Sequence, residues 1–190
     1  MVSDYEAKQL ERERVIGRAH WRKILRRSIW TTLIVVAVAA VVFSLWRVGQ
    51  RDSAGPGATI PDQGAPHVAL GTPFDYNSNP PTSGPHHANP AEWGVYKEEI
   101  HDQILIHNLE HGGIWVAYKP GVSPDVISRL EAVASEFGRK VIMAPRPAND
   151  ADIALAAWNH LDKFSAAEFS EERVRNFIKA YRNRGPEFVP

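Results

Sequence analysis

The chain has 190 residues, no cysteine and a formal net charge of zero, its 22 Lys and Arg balanced by 22 Asp and Glu. That length leaves room for one globular domain beside an anchor, and the even charge gives no basic footprint for nucleic acid. Without a thiol there is no disulfide framework, no cysteine nucleophile and no thiolate-bound zinc or iron–sulfur site, so any metal must be held by nitrogen, oxygen or methionine sulfur.

Charge is divided unevenly along the chain. Residues 1–28 form a segment rich in helix formers, with eight Lys and Arg against four Asp and Glu up to Arg27. Its basic end suits anionic lipid head groups, and a plain solvated helix has the same composition. Residues 29–48 are expected to be a transmembrane signal anchor, because the run from Ile29 to Trp46 is apolar and uncharged. At helical rise that run spans about 27 Å, close to a bilayer core. Trp30 and Trp46 stand at its ends, where indoles favour the interface. Arg47 follows where a cleaved signal peptide would show small residues. Arg22, Lys23, Arg26 and Arg27 outnumber Arg47 and Arg51, which predicts a single-pass cell-membrane protein with a cytoplasmic N-terminus and an extracytoplasmic C-terminal domain.

Residues 49–63 have breakers and no apolar period, the composition of a linker. An α+β domain is expected over 64–190. Prolines and glycines continue to Pro90, but His67, Val68, Leu70, Phe74 and Tyr76 among them predict an ordered wrap over the domain surface. Ile104–Ile106, Ile114–Tyr118 and Val141–Met143 are short apolar runs rich in β-branched and aromatic residues, and read as buried strands. Between the last two, Ser123 is an N-cap and Pro124 a first helical residue. Val126, Ile127, Leu130, Val133, Ala134 and Phe137 then recur at helical spacing up to Gly138. Strand, helix and strand in that order predict a crossover with parallel strands. Residues 153–164 fit both periods and are taken as strand. Ser170 then caps a final helix with Glu171 and Glu172 in its first turn and Val174, Phe177, Ile178 and Tyr181 on one face. The expected architecture is a single transmembrane helix followed by a small mixed sheet covered by two amphipathic helices.

Two histidine clusters lie outside the anchor, Thr82-Ser83-Gly84-Pro85-His86-His87 and His107-Asn108-Leu109-Glu110-His111-Gly112-Gly113. Imidazole offers a nitrogen lone pair near neutral pH, so such clusters mark metal sites or acid/base chemistry. On a strand His107 and His111 would stand about 13 Å apart, too far for one ion. On a helical turn their Cβ atoms are about 5–6 Å apart and the pair can chelate. Gly112-Gly113 suits a helical turn that stops in a left-handed glycine. Adding His86 and His67 gives a candidate ligand set of His67, His86, His107 and His111, with His87 the nearest rival for the fourth place. Copper or zinc is the expected ion. Met143 would favour copper as a thioether ligand, against its ordinary reading as core. His107 to His111 also matches the H-x-x-E-H pattern of zinc peptidases, with Glu110 as base, although strand-like residues and paired glycines enclose it. The alternative is that Glu110 orients a histidine from the second coordination layer.

Asp62-Gln63-Gly64, His67-Val68, Tyr76 to His86, Trp93-Gly94-Val95-Tyr96 and His107 to Gly113 together resemble the signature of family 3105 of the domains of unknown function, over residues 60 to 188. His67, His86, His107 and His111 fall on its histidine positions. The resemblance implies a single-pass or secreted protein and no established activity. The competing class to a metal binder is a non-catalytic accessory subunit of a membrane protein complex, with Trp93, Tyr96 and Trp115 as contact residues.

Overall fold

A computed structural model describes residues 28–43, 55–187 and 189. The segment before Ser28, expected to be juxtamembrane, and residues 44–54, with the end of the expected span and most of the expected linker, lie outside the described residues. Helix α1 covers residues 28–43 and is exposed throughout. Among the described residues no helix is long and apolar enough to cross a membrane.

The chain from Gly55 onward is a compact unit of its own. In chain order it holds the short strands β1 (Ala58–Thr59), β2 (His67–Val68), β3 (His86–His87) and β4 (Gly94–Val95), then helix α2 (Asp102–Glu110) and strand β5 (Ile114–Tyr118). Helix α3 (Pro124–Glu136), strands β6 (Val141–Pro145), β7 (Ile153–Ala157) and β8 (His160–Phe164), and helix α4 (Glu171–Tyr181) complete it. Six strands form one mixed sheet in the order β1-β8-β7-β5-β6-β4, and β2 pairs with β3 separately. β1 lies in the breaker-rich stretch read as linker and adds an edge strand to β8.

The β5-α3-β6 unit forms as its pattern dictates. Ser123 Oγ accepts from Val126 N–H at the helix start, and β5 and β6 pair in parallel with Ile114 opposite Val141. Side chains alternate along β5, so Ile114, Val116 and Tyr118 face Leu130, Val133, Phe177 and Ile178 of α3 and α4. Trp115 and Ala117 face the other way, into a second core with Ile142, Ala156, Leu105, Ile106 and Leu109. The mixed sheet is thus covered by α3 and α4 on one face, and on the other by α2 and the proline-rich wrap.

That second layer corrects two expectations. Ile104–Ile106 are helical, not a strand, and three helices rather than two cover the sheet. A three-residue β-branched run carries little weight against tertiary packing. Leu105, Ile106 and Leu109 lie on one helical stripe that is fully buried against the sheet. His101 Nδ1 accepts from Gln103 N–H at the helix start, and Asp102 pairs with Arg146 at 2.7 Å. Residues 153–164 fit both periods because they hold two strands, joined by a turn at Trp158-Asn159 in which Asn159 has φ 61°.

Candidate metal centre

The site begins with the wrap. His67 and His86 are directly opposite each other in the parallel β2·β3 pair, so both imidazoles stand on the same side, with ring centroids 5.1 Å apart. His87 follows His86 by one residue and points away, which removes the rival ligand for a reason of strand geometry. The loop before His86 is tightly fixed. Gly84 N–H donates to the Gly64 carbonyl at 2.7 Å, Gln63 N–H to Ser83 Oγ at 3.0 Å and His86 N–H to the Pro66 carbonyl at 3.0 Å. Gly84 has φ 110°, a conformation that favours glycine, and a Cβ there would crowd Tyr76.

Helix α2 brings the second cluster to the same place. His107 and Glu110 are three residues apart, and His107 and His111 four, so all three share one helical face. Asn108 locks the helix to the wrap, its Oδ1 accepting from Ala91 N–H at 2.9 Å and its Nδ2 donating to the Ala91 carbonyl at 2.8 Å. Gly112 ends the helix at φ 75°, the left-handed stop that the paired glycines predict.

His67, His86, His107 and Glu110 form one group, each offering a ligand atom within 4.8 Å of the others. His111 is not in it. It belongs to an adjoining group with His107 and Glu187, whose ligand atoms likewise lie within 4.8 Å of one another. The structure thus brings all four candidate histidines to one neighbourhood but divides them. It places Glu110, read from the sequence as a base or an orienting carboxylate, among the ligand atoms, and adds Glu187. Glu110 follows from helical phase once α2 is known to be a helix. Glu187 has no local signal, since it arrives from 76 residues away.

The hydrogen bonds set which nitrogens are free. His86 Nδ1 donates to the Gly84 carbonyl at 2.8 Å, and His107 Nδ1 donates to the His87 carbonyl at 2.8 Å. A carbonyl only accepts, so in each neutral imidazole the Nε2 is left with a lone pair. Those atoms face other acceptors: His86 Nε2 lies 2.9 Å from Glu110 Oε2, and His107 Nε2 3.0 Å from His111 Nε2. His67 Nε2 is 3.7 Å from the same Glu110 oxygen, and His111 Nε2 is 3.0 Å from Glu187 Oε2. One proton on His111 Nε2 can serve His107 or Glu187 but not both. The cluster therefore converges more acceptor atoms than its neutral imidazoles have protons for, which is the electrostatic condition of a cation site. Burial is the largest cause holding the His107 pKa below its ordinary value. The His87 carbonyl acts in the opposite sense, and His111 and His86 depress it further.

The remaining candidates serve the fold. His101 caps α2, and His160 stacks on Tyr181 at 4.0 Å, away from the cluster. Met143 is fully buried against α3 and α4, on the face of the sheet opposite α2, so its thioether does not join the imidazoles. Trp115 is 1% exposed, and Trp93 and Tyr96 pack against the second core.

The family model described as Protein of unknown function (DUF3105) matches residues 67–189, a span that contains every residue of both groups. No curated protein and no solved structure matches the chain.

Proposed function

The chain belongs to this family of proteins of unknown function, and we propose that its role is to bind a transition metal ion, copper or zinc, through His67, His86, His107 and Glu110. The observation that carries this reading is the convergence of three imidazole nitrogens and a carboxylate oxygen within 4.8 Å of one another, with two buried imidazoles fixed at Nδ1 by backbone carbonyls. Backbone acceptors on the non-ligating nitrogen are the usual way a protein orients a histidine ligand and raises its basicity. Nitrogen and carboxylate donors without sulfur suit zinc and divalent copper alike. The half-exposed His67 leaves one side open for entry of the ion.

Membrane anchoring through residues 29–48, with the metal-binding domain extracytoplasmic, completes the proposal. It is supported by the uncharged run to Trp46 and the basic residues before it. A reporter active only outside the cytoplasm should work when fused after Pro190 and stay silent when fused before Met1, and the reverse pattern removes this part. For the metal, isothermal titration of the full-length chain with zinc and with copper is the test. Heat and a raised melting temperature with either ion support the reading, and neither with both ions overturns it. Protons compete with the ion for the imidazole nitrogens, so the gain should shrink as the pH is lowered.

A further inference from the structure

His107 has one free nitrogen, yet it stands in both groups of potential ligands. Its Nδ1 is committed to the His87 carbonyl, so it can join only one ion. Assigning it to the second group leaves two sets of equal composition. His67, His86 and Glu110 are two imidazoles and a carboxylate, and so are His107, His111 and Glu187. The spacing within the second set is that of donors sharing one ion. Bonds of about 2.0–2.2 Å put neighbouring ligand atoms about 3.3–3.6 Å apart in a tetrahedral shell and about 2.8–3.1 Å apart at right angles. His107 Nε2 to His111 Nε2 and His111 Nε2 to Glu187 Oε2 are each 3.0 Å.

Glu187 is held there by backbone, not by chance of an exposed side chain. Its N–H donates to the Glu110 carbonyl at 3.1 Å, and Asn183 N–H donates to the Gly112 carbonyl at 2.8 Å. The tail after α4 therefore lies across the end of α2, pressed close enough that Gly185 has no room for a Cβ beside Glu110.

We propose that the centre is dinuclear, with a second divalent transition ion held by His107, His111 and Glu187 beside the first at His67, His86 and Glu110. This rests on the metal-binding reading and redistributes its ligands, His107 passing from the first ion to the second. Three protein ligands on each ion leave open positions, and two adjacent ions with open positions form a clamp for a bridging water or an oxyanion.

The test is the zinc content of the full-length chain after loading with excess zinc and desalting. About two ions per chain are expected in the parent, and about one in Glu187→Gln and in His111→Ala. Glu187 is exposed enough that its replacement leaves the fold intact. Copper gives a second readout: two adjacent divalent ions couple and lose paramagnetic resonance intensity, and Glu187→Gln should restore the signal of an isolated ion. One zinc per chain in the parent, unchanged in Glu187→Gln, overturns the dinuclear centre and leaves the single-ion reading standing. No zinc in the parent overturns both.

Discussion

His86 and Glu110 meet at 2.9 Å with the imidazole wholly buried, one from a two-residue strand and the other from the last turn of a helix. Because His86 Nδ1 is bound to the Gly84 carbonyl, its Nε2 needs a proton or a cation between it and the carboxylate. Glu110→Gln separates the two needs. The amide can donate to Nε2, so the metal-free protein should melt at or above the temperature of the parent. The lost carboxylate should weaken metal binding by about 100-fold or more, beyond what removing a mere outer-layer partner costs. Titration calorimetry beside a melting curve checks both, and unchanged affinity would remove Glu110 from the ligand set.

Leu130 is fully buried between α3 and the sheet. Leu130→Asp puts an unpaired charge there and should cost about 3 kcal/mol or more, enough to unfold many domains. Melting like the parent would show that α3 presents a different face.

The helix face that Leu130 marks was legible because α3 has a full set of local signals, from Ser123 and Pro124 to the apolar stripe. α2 lacked them. Its first turns contain Ile104-Leu105-Ile106, whose short-range preference is for a strand, and burial of Leu105 and Ile106 against Trp115 and Ile142 holds them helical. The chelating spacing of His107 and His111 was visible because Gly112-Gly113 demands a stop just after it. The division of the histidines was not visible, since it depends on the parallel pairing of His67 with His86 and on a tail that returns from the far end of the chain.

His160 should make the metal-free domain acid-sensitive. Burial, then the Arg184 guanidinium, hold its pKa below the ordinary value, and its Nδ1 is buried without a hydrogen bond. The unfolded chain takes up this proton near the ordinary histidine value of about 6.5, while the folded one resists it. Between those points the unfolded state binds more protons, so stability is full above about pH 6.5 and falls as pH drops below it. The depressed pKa of His107 acts in the same direction. His160→Phe keeps a ring against Tyr181 and should flatten part of the decline in melting temperature between about pH 7 and 5.5, with chelator present. A decline as steep as that of the parent would show that His160 does not contribute.

Gly185 tests whether the tail positions Glu187. A Cβ at residue 185 would lie 2.0 Å from the Glu110 carbonyl oxygen and 2.3 Å from Gly112 N, both backbone atoms that cannot swing aside. Gly185→Ala must therefore lift the tail from the end of α2, at a cost of about 1–3 kcal/mol for the forced shift. The Glu187 to Glu110 backbone bond lies two residues further on and should break with it, carrying the carboxylate away from His111. The variant should then match Glu187→Gln in zinc content. Gly121→Ala is the control, because nothing lies within 4 Å of a Cβ there. If Gly185→Ala holds as much zinc as the parent, Glu187 reaches His111 without the help of the tail, or does not hold an ion at all; the zinc content of Glu187→Gln separates these two outcomes.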